Sequence, residues 1–406
     1  MVQNRCYWED PYLAATLRAP RTGGFVRCHL IRAVPAAALA RGAALACALA
    51  LAALPGAAAP AEPGPSASPA ASPASAPGAA APYRLRIVGN LGALSQYSRR
   101  EAPFWTRDLP RLSGGRFTAS IVPFDRAGVP GIEMLRLVEL GVVPLGTVLM
   151  SSLTAQYPQY TAADLPALNP TLADLRSSVQ AFRPYLQDEL RRRHHFEMLA
   201  VYVYPAQVLF CKNALSGLAD LKGRRVRVSS ASQADFIASL GGVAVYTGFS
   251  QIVPSLQASD SECSITGTMS GNTLGLHRMT RYLHTLPITW GLSFFGANDE
   301  AWAAMPPELR ALLLRELPSL EDAIWHDAEA ETEEGVACNS GSSACVRGER
   351  GSMVVVPLSP EDDARRLRLL SESVLPSWLR RCGADCAAIW SRTVGRARGI
   401  PVPENP

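Results

Sequence analysis

Leu218-Ala219-Asp220-Leu221-Lys222-Gly223-Arg224-Arg225-Val226-Arg227-Val228 sets a turn at Lys222-Gly223 ahead of a short strand. Successive strand side chains alternate faces, so Val226 and Val228 point one way and Arg225 and Arg227 the other; periodicity alone leaves both arginines solvated. A helix ending at Leu240-Gly241-Gly242 follows, then a second strand, then Gly248-Phe249-Ser250-Gln251 leading into Pro254-Ser255-Leu256-Gln257. This is one βαβ unit with a further helix. The same alternation recurs on both sides. Short apolar stretches at Leu85 to Val88, Phe117 to Phe124, Val142 to Met150, Val243 to Thr247 and Met353 to Pro357 alternate with amphipathic stretches such as 171–192, 308–334 and 361–381. The pattern predicts an α/β protein with largely parallel strands. Pro318 is expected to kink or divide the 308–334 helix. Phe196 to Phe210, fifteen residues, is too long for one strand and is expected to cross from one sheet into a second, joining two lobes.

Of the 406 residues 48% are hydrophobic and 18% charged, which excludes a disordered polyelectrolyte. The net charge of +4 sits mostly in residues 1–82; the remainder holds 33 basic and 32 acidic residues and has no field for a phosphate backbone, so no nucleic-acid partner is expected. Arg27, Arg32 and Arg41 precede thirteen uncharged residues, Gly42 to Leu54, and the small run Gly56-Ala57-Ala58-Ala59. That is the plan of a secretory signal peptide, and thirteen helical residues reach only about 20 Å, short of a membrane span. Residues 1–59 therefore read as an N-terminal extension and signal peptide, with translation expected to start near Val26, and the Pro/Ala/Ser-rich 60–82 as a linker. No later stretch approaches 18 uncharged apolar residues, so no transmembrane segment is expected in the mature chain.

Cysteine use fits export. Cys338 and Cys345 bracket a turn-rich stretch and Cys382 and Cys386 flank Gly383-Ala384-Asp385; both pairs read as local disulfides, since zinc sites need further Cys or His at matching spacing. Cys211 and Cys263 are left either to bridge two strands or to stay as buried thiols. No phosphate-binding loop, G-x-G-x-x-G or G-x-S-x-G is present, which removes three common catalytic layouts. His194 and His195, after three arginines, read as the solvated end of a helix; His277 and His284, seven apart, share a helix face at most as a weak metal pair. No catalytic residue, metal site or cofactor is expected.

At the 218–257 stretch the chain resembles the substrate-binding proteins of tripartite ATP-independent periplasmic (TRAP) transporters. Their D-L-K-G-x-K-x-R-V, helix ending in L-G, F-S-E-V-Y and A-L-Q are matched in order by Asp220 to Val228, Leu240-Gly241, Phe249 to Ile252 and Ser255 to Gln257. The likeness runs upstream through Ser113-Gly114-Gly115-Arg116 and Asp164-Leu165-Pro166 and downstream through Met305 to Leu309, about Leu85 to Glu334 in all. It implies a two-lobed periplasmic solute-binding protein, type II-like, with a hinge and a ligand cleft between lobes. The implied layout is lobe I at 83–204, lobe II at 205–287, hinge-crossing helices returning to lobe I at 288–337, and a Cys-containing C-terminal extension at 338–406. The implied activity is capture of a small organic acid for delivery to TRAP membrane permease subunits.

Residue by residue, the resemblance puts Arg227 where the family holds a carboxylate, a task that suits a planar fork of donors. Phe249 matches a ring that lines the ligand, and Thr266 falls where the family often has Asn. Asn90 and Ser151 lie at strand ends of the first lobe that line the cleft, and Trp290 is either another wall or a core indole. The family's frequent second arginine would fall near Ala206 and Gln207; neither is charged, which counts against a dicarboxylate, though Gln207 can donate one hydrogen bond. Glu262-Cys263 replaces the family's D-G and Gln251 its usual Glu. The ligand expected is thus a monocarboxylate or similar anion. The competing readings are a periplasmic α/β enzyme acting on a small carboxylate and a sensor subunit of similar fold.

Overall fold

Leu85 and Ile87 are buried while Arg84 and Arg86 are not, the alternation that makes Tyr83–Gly89 the first strand (β1) of a computed structural model describing residues 82–404. The signal peptide, the start near Val26 and all of the linker but Pro82 lie outside the described residues. The described residues form two sheets among helices. In the first, β1 runs parallel to β2 (Phe117–Pro123) and to β3 (Leu145–Leu149). β10 (Leu292–Asn298) lies antiparallel between β3 and β4 (Phe196–Val203), giving the order β2-β1-β3-β10-β4. One face of β4 packs Phe196, Met198, Val201 and Val203 toward the helix Leu172–His194. The other packs Ala200 and Tyr202 toward the helix Pro307–Ser340. Covered on both faces, β4 and β10 are buried almost throughout rather than in alternation.

The second sheet has the order β11-β9-β5-β8-β6-β7, from β5 (Gln207–Cys211), β6 (Arg225–Val228), β7 (Val243–Tyr246), β8 (Cys263–Gly267), β9 (Tyr282–Thr289) and β11 (Val354–Val356). β6 is parallel to β7 and β8, as the βαβ reading requires, but β5 is antiparallel to β8 and β9. The expectation of largely parallel strands is therefore corrected to two mixed sheets. The reason is the crossings: β4 passes into β5 through Tyr204-Pro205-Ala206, and β9 into β10 through Trp290-Gly291, with no helix to reverse the chain. The long apolar run 196–210 does leave one sheet for the other, as its length implied. The two crossings are tied together, since Tyr204 N–H donates to Gly291 O at 3.0 Å. The buried carboxylate of Asp164 accepts from the N–H of Trp290 (3.0 Å) and of Gly291 (2.7 Å).

Pro318 does not divide its helix, which runs unbroken over Pro307–Ser340. The carbonyl that loses its partner belongs to Leu314, on the exposed side, where solvent can satisfy it. His194 is not solvated: it is buried, its Nε2 2.9 Å from the Tyr160 hydroxyl and its Nδ1 3.1 Å from Glu139. His195 does end the helix in the open. His277 sits in a short turn, Leu276–Arg278, and His284 in β9, so they share no helix face; His284 pairs with Asp362 at 3.1 Å. Disulfides join Cys338 to Cys345, Cys382 to Cys386 and Cys211 to Cys263, the last across directly opposed positions of β5 and β8. The segment after Cys338 closes on the body. β11 extends the second sheet beside β9, the Trp378 indole N–H donates to Pro158 O at 2.7 Å, and Arg381 reaches Asp235 at 2.6 Å.

Candidate functional site

β6 lies between β8 and β7, and within it Arg225 is exposed while Arg227 is 2% exposed. Periodicity had put both on one solvated face; the buried position of Arg227 follows from what lies over that face further along the strand. Its guanidinium is held by backbone and hydroxyl oxygens. Nε donates to Thr247 O (3.1 Å) and Oγ1 (3.2 Å), one Nη to Thr247 O (2.6 Å) and the other to Ile265 O (2.9 Å). Three of the five N–H groups are so engaged, leaving one on each Nη. No Asp or Glu among the described residues pairs with it, and burial lowers its pKa to about 10. It remains a cation at neutral pH, desolvated and without a counter-charge. Such a site is costly unless an anion completes it.

Arg227 borders a cavity of about 300 Å³. From the second sheet and its loops come Arg227, Gln207, Thr266, Tyr246 and Phe249; from the first lobe come Leu91, Leu94, Phe124, Leu149 and Ser151. The walls are chiefly apolar, and among the described residues lining the space Arg227 is the one charged group, with no His, Cys, Asp, Glu or Lys beside it. Of the residues expected from the sequence, the structure brings Arg227, Phe249, Thr266, Gln207 and Ser151 to this one space.

Two others stand back from it, which corrects the wall role expected for them. Asn90 is 1% exposed and fully committed: its N–H and Nδ2 donate to Glu101, both at 2.8 Å, and its Oδ1 accepts from the Tyr204 hydroxyl at 2.7 Å. It thus positions Tyr204, whose side of the crossing borders the cavity. Burial raises the Glu101 carboxyl to about pH 7 despite the two Asn90 donors. Trp290 is the core indole of its two readings, giving its ring N–H to Asn169 O at 2.9 Å. Asp164, which clasps the Trp290 and Gly291 amides, is likewise raised to about pH 7 by burial.

Sequence reasoning missed Tyr204, Tyr246, Phe124 and Leu149. The signal for Tyr204 was present, because the crossing between sheets brings its residues beside the space between lobes, though the neighbouring crossing residue Trp290 turns into the core instead. Tyr246 ends a strand and is 60% exposed, so nothing in its local pattern separates it from a surface residue.

The chain matches the family described as bacterial extracellular solute-binding protein, family 7, over residues 92–365. It matches no curated protein. It is similar in structure to an extracytoplasmic solute receptor of Bordetella pertussis that binds pyroglutamic acid, at 22% identity and a TM-score of 0.68, covering 76% of this chain and 98% of that one. It is also similar to a TRAP periplasmic solute-binding protein of Sulfurospirillum deleyianum with bound succinate (15% identity, TM-score 0.66, 79% and 99% covered). A third, from Rhodoferax ferrireducens with copurified benzoate, shares 17% identity and a TM-score of 0.64 over 78% and 97%. At such identities the likeness is one of fold, two α/β lobes with a cleft between them.

Proposed function

The chain belongs to the bacterial extracellular solute-binding proteins of family 7, and from that premise we propose that it is a periplasmic receptor for a small organic monocarboxylate, delivered to a TRAP-type membrane permease. The observation that carries the reading is Arg227, a buried guanidinium without an acidic partner, facing an otherwise uncharged cavity with one N–H left on each Nη. A carboxylate takes two such donors at once, and a water-poor cleft strengthens the pair. Specificity then comes from cavity shape and handover from lobe opening. Gln207, Thr266, Ser151 and Phe249 are the proposed ligand contacts, and the solved relatives' pyroglutamic acid, succinate and benzoate mark the class of guest such folds accept.

The protein is proposed to bind without converting. A cavity whose only charged wall among the described residues is an arginine offers, among them, no carboxylate or imidazole base and no nucleophile with such a base beside it. Export by the 1–59 segment fits the same role, and no helix among the described residues is long and apolar enough to cross a membrane. The test is a thermal-shift screen against organic acids, followed by mass spectrometry of the recovered ligand. A carboxylate should raise the melting point in proportion to its occupancy and return chemically unchanged. Turnover of the acid, or stabilisation by cations and neutral solutes only, would overturn the reading.

A further inference from the structure

Gln207 opens β5 at the edge of the cavity, and its amide orientation is dictated by residues behind it. The Ser229 backbone N–H can only donate, and it donates to Gln233 Oε1 at 2.9 Å, with the Ser229 hydroxyl on the same oxygen at 3.1 Å. Gln233 must then turn its Nε2 the other way, where it donates to Gln207 Oε1 (3.0 Å) and to Thr289 Oγ1 (2.9 Å). The Thr289 hydroxyl donates in turn to Gln207 Oε1 at 3.4 Å. Both lone pairs of that oxygen are occupied, so the Gln207 amide cannot flip without setting donor against donor. Its Nε2 keeps two N–H groups with no protein acceptor among the described residues. The place is held open by Gly291, at φ +76°, where a Cβ would stand 2.2 Å from that nitrogen.

We propose that Gln233 is a positioning residue that locks Gln207 as a neutral hydrogen-bond donor, and that the ligand therefore carries, beside its carboxylate, an uncharged oxygen acceptor such as a keto or amide carbonyl. The inference rests on the function proposed above and narrows it. Arg227 takes the carboxylate, and the donor at Gln207 takes the second oxygen. A second carboxylate in that position would be desolvated against an amide rather than a cation, which selects against dicarboxylic acids. Thr266 and Ser151, which also border the cavity, carry hydroxyls that both donate and accept and so impose no such choice.

The experiment measures Kd by calorimetry at pH 8 for matched acids, 4-oxopentanoate against pentanoate and 4-oxocyclohexanecarboxylate against cyclohexanecarboxylate, with glutarate as the diacid. In the native protein at least one oxo acid should bind about tenfold or more tightly than its deoxy partner and than glutarate. Gln233→Glu retains an acceptor for Ser229 but presents another to Gln207, turning the Gln207 amide round. The oxo-to-deoxy ratio should then fall to about one, over and above any loss of affinity that the added negative charge imposes on both acids alike. Gln207→Leu should give the same collapse by removing the donor, and stands in should Gln233→Glu fail to fold. Carboxylates that bind with an oxo-to-deoxy ratio near one in the native protein, or with a ratio unchanged in both variants, overturn this inference and leave the receptor reading intact. Native protein that binds none of the five acids overturns both.

Discussion

Replacing Arg227 by Met separates a ligand-binding arginine from a structural one. In the unliganded protein the substitution removes a charge whose pKa burial has lowered from 12.5 to about 10, a cost of about 3 kcal/mol. It also strips Thr247 O and Ile265 O of donors, at about 1–3 kcal/mol for each carbonyl left unpaired. These contributions oppose one another, so the apo melting point should move by only a few degrees. Binding has no such compensation. Two charge-assisted hydrogen bonds at about 1.5–3 kcal/mol each amount to about 3–6 kcal/mol, a loss of affinity between about 100-fold and about 20,000-fold. Arg227→Lys keeps the charge without the fork and should fall between the native protein and Met. The assay is calorimetry with whichever acid stabilises the native protein most, beside thermal unfolding of each apo variant. Undiminished affinity in Arg227→Met would refute the reasoning; so would a collapse of the apo fold with affinity retained at low temperature.

The Cys211–Cys263 bridge spans 52 residues and Cys338–Cys345 only 7, so chain entropy assigns them about 4 and about 2 kcal/mol. Paired Cys→Ala variants unfolded in urea should show the larger loss for the β5–β8 pair, and equal losses would defeat the argument. Gly335 brings the long helix against Thr268–Thr273, where a Cβ would stand 2.3 Å from Met269 N and 2.5 Å from Thr268 C. Because backbone has to move, Gly335→Ala should cost about 1–3 kcal/mol by denaturant titration despite alanine's better helix propensity. Glu101 and Asp164 keep their protons in the folded protein up to about pH 7 and lose them near pH 4 when unfolded. The folded state thus binds more protons in between, and each group's contribution, about 3–4 kcal/mol, is present below about pH 4 and lost as pH rises to about 7. Buried Glu331 acts in the same direction, and His284, whose pKa burial lowers, acts against them. The melting point at constant ionic strength should be higher at pH 5.5 than at pH 8, with the difference reduced in Glu101→Gln; a flat profile would count against all three buried acids.

The βαβ unit around β6 was legible because its signals are local: a turn at Lys222-Gly223, a two-residue alternation, and a helix ended by Gly241 at φ +73°. The crossing at 204–206 was legible because a fifteen-residue, mostly apolar stretch exceeds one strand. Strand direction was not, since parallel and antiparallel neighbours differ in how the chain returns, and an apolar run has the same composition either way. The disulfide between Cys211 and Cys263 was open for the same reason. Their opposition is a matter of register between β5 and β8, which spacing along the chain does not encode.

At the site the division is similar but sharper. Arg227 was found through resemblance, against a periodicity that made it a solvated neighbour of Arg225, because burial of a strand residue depends on what the neighbouring strands and loops lay over it, here Thr247 and Ile265. Asn90 was misplaced by one layer, and of the two readings of Trp290 the core one holds. Each is polar or aromatic at an element end, as a ligand contact would be, but Asn90 is consumed by Glu101 and Tyr204, and Trp290 by Asn169. Gln207 shows the complement. Residue type said only that it can donate, whereas its polarity toward the cavity is set by a backbone N–H at Ser229, reached through Gln233. An amide is ambiguous in sequence and in isolation, and it becomes a directional donor only when an unflippable group stands at the far end of its network. Sequence could therefore place the charge proposed to capture an anion; the donor proposed to read the rest of the guest is set by hydrogen bonds between residues far apart in the chain.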